Sequence, residues 1–279
     1  MMTEFSLLNA PCARNPVALS QLAVRSLLEE LRLAPKPGLV SPVDNGSHHD
    51  MDAALIARSA WGLRRYFRNV AVIGAEGGAF ERLREEGLAA ERTMARLTGG
   101  VNTHRGAIFS LGLLVAAGMS GEIGTPFGAI VQRRWGRALA AAGLRAKAGK
   151  GALAAARAGV AGARAEAING FPALYRWGLP ALREAERFGR RPALVHLLFS
   201  LIARLDDTNL LHRGGLEGLN WARQQAAAFL DRGSIFADDW EAAAWQVHRE
   251  FVKRWLSPGG SADLLAATLW VDAVEGRGA

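Results

Sequence analysis

Four short polar stretches carry the residue types that could do chemistry. The first is Lys36-Pro37-Gly38-Leu39-Val40, followed by Asp44-Asn45-Gly46-Ser47-His48-His49-Asp50-Met51-Asp52. Three aspartates, two histidines and an asparagine fall within nine residues, and hard oxygen ligands at that density suit Mg²⁺ carried by a nucleotide. Asp50 also reads as the N-cap of a helix whose first turn holds Asp52, which is ordinary helix-start chemistry. The second stretch is Thr98-Gly99-Gly100-Val101-Asn102-Thr103-His104-Arg105-Gly106. A glycine turn running into a helix N-terminus leaves free backbone N–H groups at a positive dipole end, which favours phosphate, and Arg105 adds a fixed charge. Thr103 as a plain cap, with His104 and Arg105 on the surface, fits the same pattern. A Walker A loop is excluded, because no Gly-Lys-Ser/Thr ending follows.

Asp206-Asp207-Thr208-Asn209, with Arg213-Gly214-Gly215 behind it, is the third stretch. It reads as the end of an apolar helix, where adjacent negative charges oppose the dipole unless a cation or solvent compensates. The fourth is Leu256-Ser257-Pro258-Gly259-Gly260-Ser261-Ala262-Asp263-Leu264-Leu265. Its Pro-Gly-Gly turn, with Ser261 as N-cap of a final helix, makes a second phosphate-type helix start. Glu91, and the pair Arg164 and Glu166 before Asn169-Gly170-Phe171-Pro172, are single residues that alone read as surface positions.

The elements that must position these residues are helices. From Asp52, the residues Leu55, Ile56, Ala60, Leu63 and Phe67 follow the three-and-four spacing of one buried helix face. The same periodicity recurs in Val17–Leu33, Phe80–Leu97, His104–Ala117, Pro192–Leu205, Leu216–Leu230, Asp238–Trp255 and Ser261–Val274. No set of alternating strands is visible, so the expectation is an all-α chain: one helical domain over residues 1–279, a multi-helix bundle with Gly/Pro-rich loops at the site.

Half of the 279 residues are hydrophobic, ample for a core without staples. The single cysteine, Cys12, cannot form an internal disulfide, and the start lacks signal-peptide form, which predicts a cytoplasmic protein. The most apolar run, Ala107 to Met119, falls short of the roughly 20 residues needed to span a bilayer. The net charge of +8 is concentrated between Val131 and Ala165, where Arg133, Arg134, Arg137, Arg145, Lys147, Lys150, Arg157 and Arg164 occur without an acidic residue. Such a block is a solvated face or attracts a polyanion. Its Ala/Gly/Arg stretch from Arg137 to Gly162 is expected to be a variable connection, since glycines weaken a long helix.

Taken together, Lys36-Pro37-Gly38-Leu39-Val40, Asn45-Gly46-Ser47-His48, Asp50-Met51-Asp52, Asn102-Thr103-His104-Arg105-Gly106-Ala107-Ile108-Phe109, Asp207-Thr208-Asn209 and Ser257-Pro258-Gly259-Gly260-Ser261-Ala262-Asp263-Leu264-Leu265 resemble the signatures of the triphosphoribosyl-dephospho-coenzyme A synthase family. Their order and spacing agree, and the resemblance runs from about Val17 to Leu269. It implies an all-helical enzyme that takes ATP and 3′-dephospho-coenzyme A. Adenine is released, and a triphosphoribosyl group is left on the 2′-hydroxyl of the coenzyme's ribose. The product would pass to a transferase that loads the acyl-carrier subunit of malonate decarboxylase or citrate lyase. The Gly100-to-Arg105 run and the Ala/Arg-rich style lean towards malonate decarboxylase. Arg105 departs from the lysine typical of relatives, exchanging a compact ammonium for a planar fork.

With that reaction in view, Asp50, Asp52, Asp206 and Asp207 are expected to hold Mg²⁺ and the triphosphate, with one of them or Glu91 as general base. His104 is a candidate to protonate the departing adenine. Lys36, Arg105, Arg213 and the two Gly-rich helix starts, with Asn102, Thr103, Ser257, Gly259, Gly260 and Ser261, are expected at phosphates. Asn45, His48 and Asn209 complete the expected substrate contacts. The rival classes are a basic helical nucleic-acid-binding module using residues 131–165 and a non-catalytic helical scaffold. Salt-dependent duplex binding would mark the first, and indifference to nucleotide the second.

Overall fold

The computed structural model describes residues 15–145 and 162–276. The periodic stretches form helices, and among the described residues there is no strand. In chain order they are α1 (Pro16–Arg32), α2 (Ala53–Gly62), α3 (Arg64–Ala75), α4 (Phe80–Thr98), α5 (Arg105–Gly118), α6 (Phe127–Arg145), α7 (Ala163–Ile168), α8 (Leu179–Ala185), α9 (Arg190–Ile202), α10 (Thr208–Asp231), α11 (Trp240–Lys253) and α12 (Gly259–Glu275). No helix among the described residues is long and apolar enough to cross a membrane.

The centre is a pair of nearly all-apolar helices. α5 buries Ile108, Leu111, Leu114 and Val115, and α12 buries Leu265, Ala267, Trp270 and Val271. At about 1.5–3 kcal/mol for each large apolar side chain buried, this pair supplies much of the driving force. The two run in parallel. A Cβ on Gly106, in the first turn of α5, would lie 1.9 Å from Asp263 near the start of α12, and one on Gly118 would lie 2.7 Å from Trp270 further along. Parallel neighbours put two positive dipole ends side by side, an arrangement that favours negative charge at the shared start. α1 and α3 pack around this pair.

Four local expectations are corrected. The periodic face from Leu55 to Phe67 belongs to two helices, divided at Leu63, whose N–H is shared between the carbonyls of Ser59 and Ala60. Ser261 is not the N-cap of the last helix: α12 begins at Gly259 behind Pro258, and Ser261 lies within its first turn. The break expected at Arg213-Gly214-Gly215 falls at Gly215, whose φ of 62° separates the two helical stretches of α10. Asp206 and Asp207 do not sit on a helix C-terminus: α9 ends at Ile202, and Asp207 is the N-cap of α10. The basic stretch also begins as regular helix, because Val131, Trp135 and Leu139 give α6 a buried face that outweighs its glycines. Arg133 and Arg134 of that helix pair with Glu122, and Arg137 and Arg164 are exposed. The Arg145 side chain, Lys147, Lys150 and Arg157 lie outside the described residues.

Candidate active site

The four polar stretches meet at one end of the bundle. Arg213 Nη1 donates to the Ser47 carbonyl at 2.8 Å and to the Trp255 carbonyl at 3.0 Å. The Ser47 hydroxyl donates to the Leu256 carbonyl at 2.8 Å. Gly38 lies against the same loop at φ 63°, where a Cβ would be 2.0 Å from the Leu256 oxygen, so the turn requires glycine. His48 Nε2 is 3.0 Å from Ser257 Oγ, and Arg213 Nη2 is 3.2 Å from His48 Nδ1. Burial and the Arg213 guanidinium push the His48 pKa down. Neutral His48 with its proton on Nε2 satisfies both contacts, accepting from Arg213 and donating to Ser257.

Beside this knot opens a cleft of 280 Å³ lined by Asn45, His49, Asp50, Met51, Asp52, Ala54, Leu55 and Arg58. The N-cap of α2 is Asp52 rather than Asp50: Oδ1 of Asp52 accepts from the Leu55 N–H at 2.7 Å. Asp50 is free of that duty. Its side chain is 62% exposed, with Oδ1 3.5 Å from His48 Nδ1. Arg58, on the next turn of α2, adds a positive charge and donates to the Leu97 carbonyl at 3.0 Å.

A second acidic group lies buried where α5, α10 and α12 begin. Asp207 is 1% exposed. Its Oδ1 accepts from the N–H groups of Asn209 and Leu210 at 2.9 and 3.3 Å, and its Oδ2 from the Ser261 N–H and hydroxyl at 2.8 and 3.0 Å. One carboxylate thus closes two helix starts. Asp263 does the same for α5, accepting from the Ala107 N–H. Both Gly-rich helix starts expected to bind phosphate are therefore filled by carboxylates of the chain itself, and the glycines make room for them. Gly106 faces Asp263, a Cβ on Gly260 would be 3.2 Å from the Asp207 carboxylate, and one on Gly259 would be 2.7 Å from the Asn209 amide. Burial raises the pKa of both acids, and for Asp263 the negative charges of Glu30 and Asp207 raise it further.

The pocket that Asp206, Asp207, Asp263 and Glu166 line together measures 30 Å³, space for water but not for a nucleotide. Asp206 pairs with Arg223. With four acceptor contacts already made, Asp207 would have to give up helix-start donors to hold a metal ion.

The remaining predicted residues divide. Lys36 is turned inward, 2% exposed, donating to Glu30 Oε1 at 2.6 Å, so a phosphate would have to compete with a buried ion pair. His104 is not on the surface. Its Nδ1 lies 2.9 Å from Ser59 Oγ and 3.1 Å from Thr103 Oγ1, and burial pushes its pKa down to about 4. Burial thus favours the neutral imidazole, which weighs against His104 as the proton donor to adenine. Thr103 donates to Ser59 Oγ at 2.7 Å and is not the cap of α5, whose N-cap position is His104; the Asn102 side chain accepts from the Arg105 N–H at 3.1 Å. Arg105 is exposed and pairs with Glu91 at 3.0 Å.

Sequence reasoning missed Asp263, Glu30, Ser59 and His248 as members of the site. His248 reaches the Lys36 carbonyl at 2.6 Å and Asp44 at 3.2 Å, locking the first motif onto α11. Asp263 was legible in principle, as an acid near the start of a helix that then runs apolar, but for Thr268, as far as Val271.

A family model described as ATP:dephospho-CoA triphosphoribosyl transferase (CitG) matches residues 16–279. A 2-(5''-triphosphoribosyl)-3'-dephosphocoenzyme-A synthase of Klebsiella pneumoniae is 40% identical over 268 residues, covering 89% of this chain and 88% of the relative. A protein of Acinetobacter calcoaceticus named as a probable synthase of the same kind is 36% identical over 276 residues, 94% of this chain and 93% of its own. Another, from Salmonella gallinarum, is 41% identical over 269 residues, 90% and 88%. No solved structure matches the chain. With the family's model matched over residues 16–279 and its motifs gathered at one end of the bundle, the chain belongs to the ATP:dephospho-CoA triphosphoribosyl transferase family.

Proposed function

We propose that this enzyme transfers the triphosphoribosyl group of ATP to the ribose 2′-hydroxyl of 3′-dephospho-coenzyme A and releases adenine. The observation that carries the assignment is the meeting of His48, Arg213 and Ser257 beside a 280 Å³ cleft edged by Asp50 and Asp52. The bond from C1′ to adenine breaks with its electron pair leaving on the base, which takes up a proton from solvent, and the acceptor hydroxyl gives up its proton as its oxygen forms the new bond at C1′. Asp50, the exposed carboxylate, is our choice to face the positive charge that develops at C1′ and to take the hydroxyl proton. Arg58 and Arg213 are placed to meet phosphate oxygens, Arg213 with the planar fork suited to them.

Mg²⁺ fits this cleft as an ion arriving with the triphosphate. It takes one or two carboxylates beside substrate phosphates and keeps several waters, and Asp52 supplies one beside the Asp50 assigned as base. Among the described residues no three His, Cys, Asp or Glu side chains are grouped to hold a metal alone, which favours delivery by the nucleotide. When bound, the ion would neutralise phosphate charge.

We further propose that the product serves the acyl-carrier subunit of malonate decarboxylase, through a separate transferase. The genes beside this one test that choice against citrate lyase. The reaction itself is tested by incubating the pure protein with ATP, Mg²⁺ and dephospho-coenzyme A. Free adenine and the triphosphoribosylated coenzyme should appear in equal amounts by chromatography. ADP or inorganic phosphate as the main product would refute the reading.

A further inference from the structure

Among the described residues three that are not glycine adopt φ in the left-handed region: Phe171 at 58°, Ser234 at 49° and Trp255 at 55°. Core packing accounts for Phe171, which is fully buried, and a 2.7 Å contact to His196 Nδ1 accounts for Ser234, which is 3% exposed. Trp255 has neither explanation, because it is 42% exposed. It stands just past the end of α11. The Leu256 N–H bonds the Phe251 carbonyl and the Trp255 N–H bonds the Val252 carbonyl, both at 3.0 Å. Those two bonds define a helix stop in which the left-handed position is usually glycine. A bulky side chain held there against its own preference, by backbone contacts from Arg213 and Ser47 on either side, is the kind of outlier found at ligand sites.

The indole also stands in the right place. Its ring centroid lies 4.2 Å from that of His49, at an interplanar angle of 60°, and His49 lines the cleft together with Asp50, Asp52 and Arg58. The Trp255 carbonyl is bound by Arg213, which also contacts His48. An exposed indole beside a cleft lined by Arg58, with Arg213 bound to the indole's own backbone, matches a ligand with a planar base at one end and phosphates at the other. Aromatic stacking accepts any base, while the charges hold the phosphates.

We propose that Trp255 is the stacking platform for the adenine ring of a nucleotide substrate, either ATP or dephospho-coenzyme A, whose phosphates enter the cleft lined by Asp50, Asp52 and Arg58. The inference rests on the proposed reaction only for its choice of ligands.

The test is equilibrium binding by calorimetry, which needs no turnover. The intact protein and the variants Trp255→Gly and Trp255→Phe are titrated separately with ATP, dephospho-coenzyme A and inorganic tripolyphosphate, with Mg²⁺ present. Trp255→Gly should weaken at least one nucleotide by roughly five- to 150-fold, the span expected for losing one base–aromatic stack. Tripolyphosphate should be affected less than twofold, and Trp255→Phe should recover most of the loss. Which nucleotide weakens identifies the adenine that stacks. The apo melting temperature of Trp255→Gly should hold or rise, since glycine suits the backbone there. Unchanged binding of both nucleotides, no nucleotide binding by the intact protein, equal loss for tripolyphosphate, or a lowered apo melting temperature would each overturn the proposal. Adenine release is measured separately. Turnover with unaltered Trp255→Gly binding defeats the stacking role alone, and Trp255-dependent binding without adenine release defeats the reaction alone.

Discussion

Asp50 and Asp207 both belong to short polar motifs that converge on the Arg213–Ser257 corner, yet they are built in opposite ways. The Asp50 side chain is 62% exposed on a 280 Å³ cleft. Asp207 is 1% exposed, spends its oxygens on four donors and faces a pocket of 30 Å³. The difference teaches that an acidic motif at a helix start can serve the fold as fully as the chemistry. Three helices begin around Asp207 and Asp263, and their N–H groups take the oxygens of those side chains as internal acceptors in place of phosphate. The open group is left to meet the ligand.

The sharpest way to break this contrast is to remove the buried acid. Asp207→Ala would strand the N–H groups of Asn209, Leu210 and Ser261, and should cost about 3–5 kcal/mol of stability, read by urea unfolding. Asp207→Asn should also destabilise, because its amide N–H₂ must face donors on one side or the other. A variant as stable as the parent would show that the node is not structural and return Asp207 to the ligand.

The open cleft should answer differently. Asp50→Asn keeps the shape and removes the charge, so adenine release should slow on the order of 100-fold, about 2.7 kcal/mol of barrier. Its urea midpoint should move by less than about 0.5 kcal/mol, as for an ordinary surface change. Loss of stability together with activity would erase the distinction between the two regions.

Acidification gives a finer comparison, because the buried groups respond with opposite sign. His104 has a folded pKa near 4 against an ordinary 6.5, so the unfolded chain binds the proton first. Stability falls as pH drops from about 6.5 towards 4, by about 2 kcal/mol between pH 7 and pH 5. Asp207 and Asp263 have raised folded pKa values. Their contribution is fully present below the ordinary carboxyl pKa and is lost as pH rises through the folded values. Unfolding measured at pH 5 and pH 7 should show His104→Asn reducing the loss on acidification, with His48 and His196, whose pKa values burial also pushes down, carrying the remainder. An unchanged pH dependence in that variant would remove His104 as its source.

Helical periodicity was enough to read the all-helical class, since a 3.6-residue apolar repeat over 10 or more residues permits little else. It also located the four polar stretches, because glycine, proline and clustered acids interrupt that repeat. What it misplaced were roles that depend on neighbours far along the chain. Local pattern put Asp207 on a helix C-terminus, but Ser261, 54 residues on, makes it a buried cap. Lys36 read as a free cation until Glu30 was found beside it. His104 read as a surface residue or a proton donor to adenine until α2 brought Ser59 to its ring. The distinction between Asp50 and Asp207 likewise belongs to the tertiary structure. Burial and the number of donors around a carboxylate are set by which helix ends pack together, and a local sequence pattern carries no record of either.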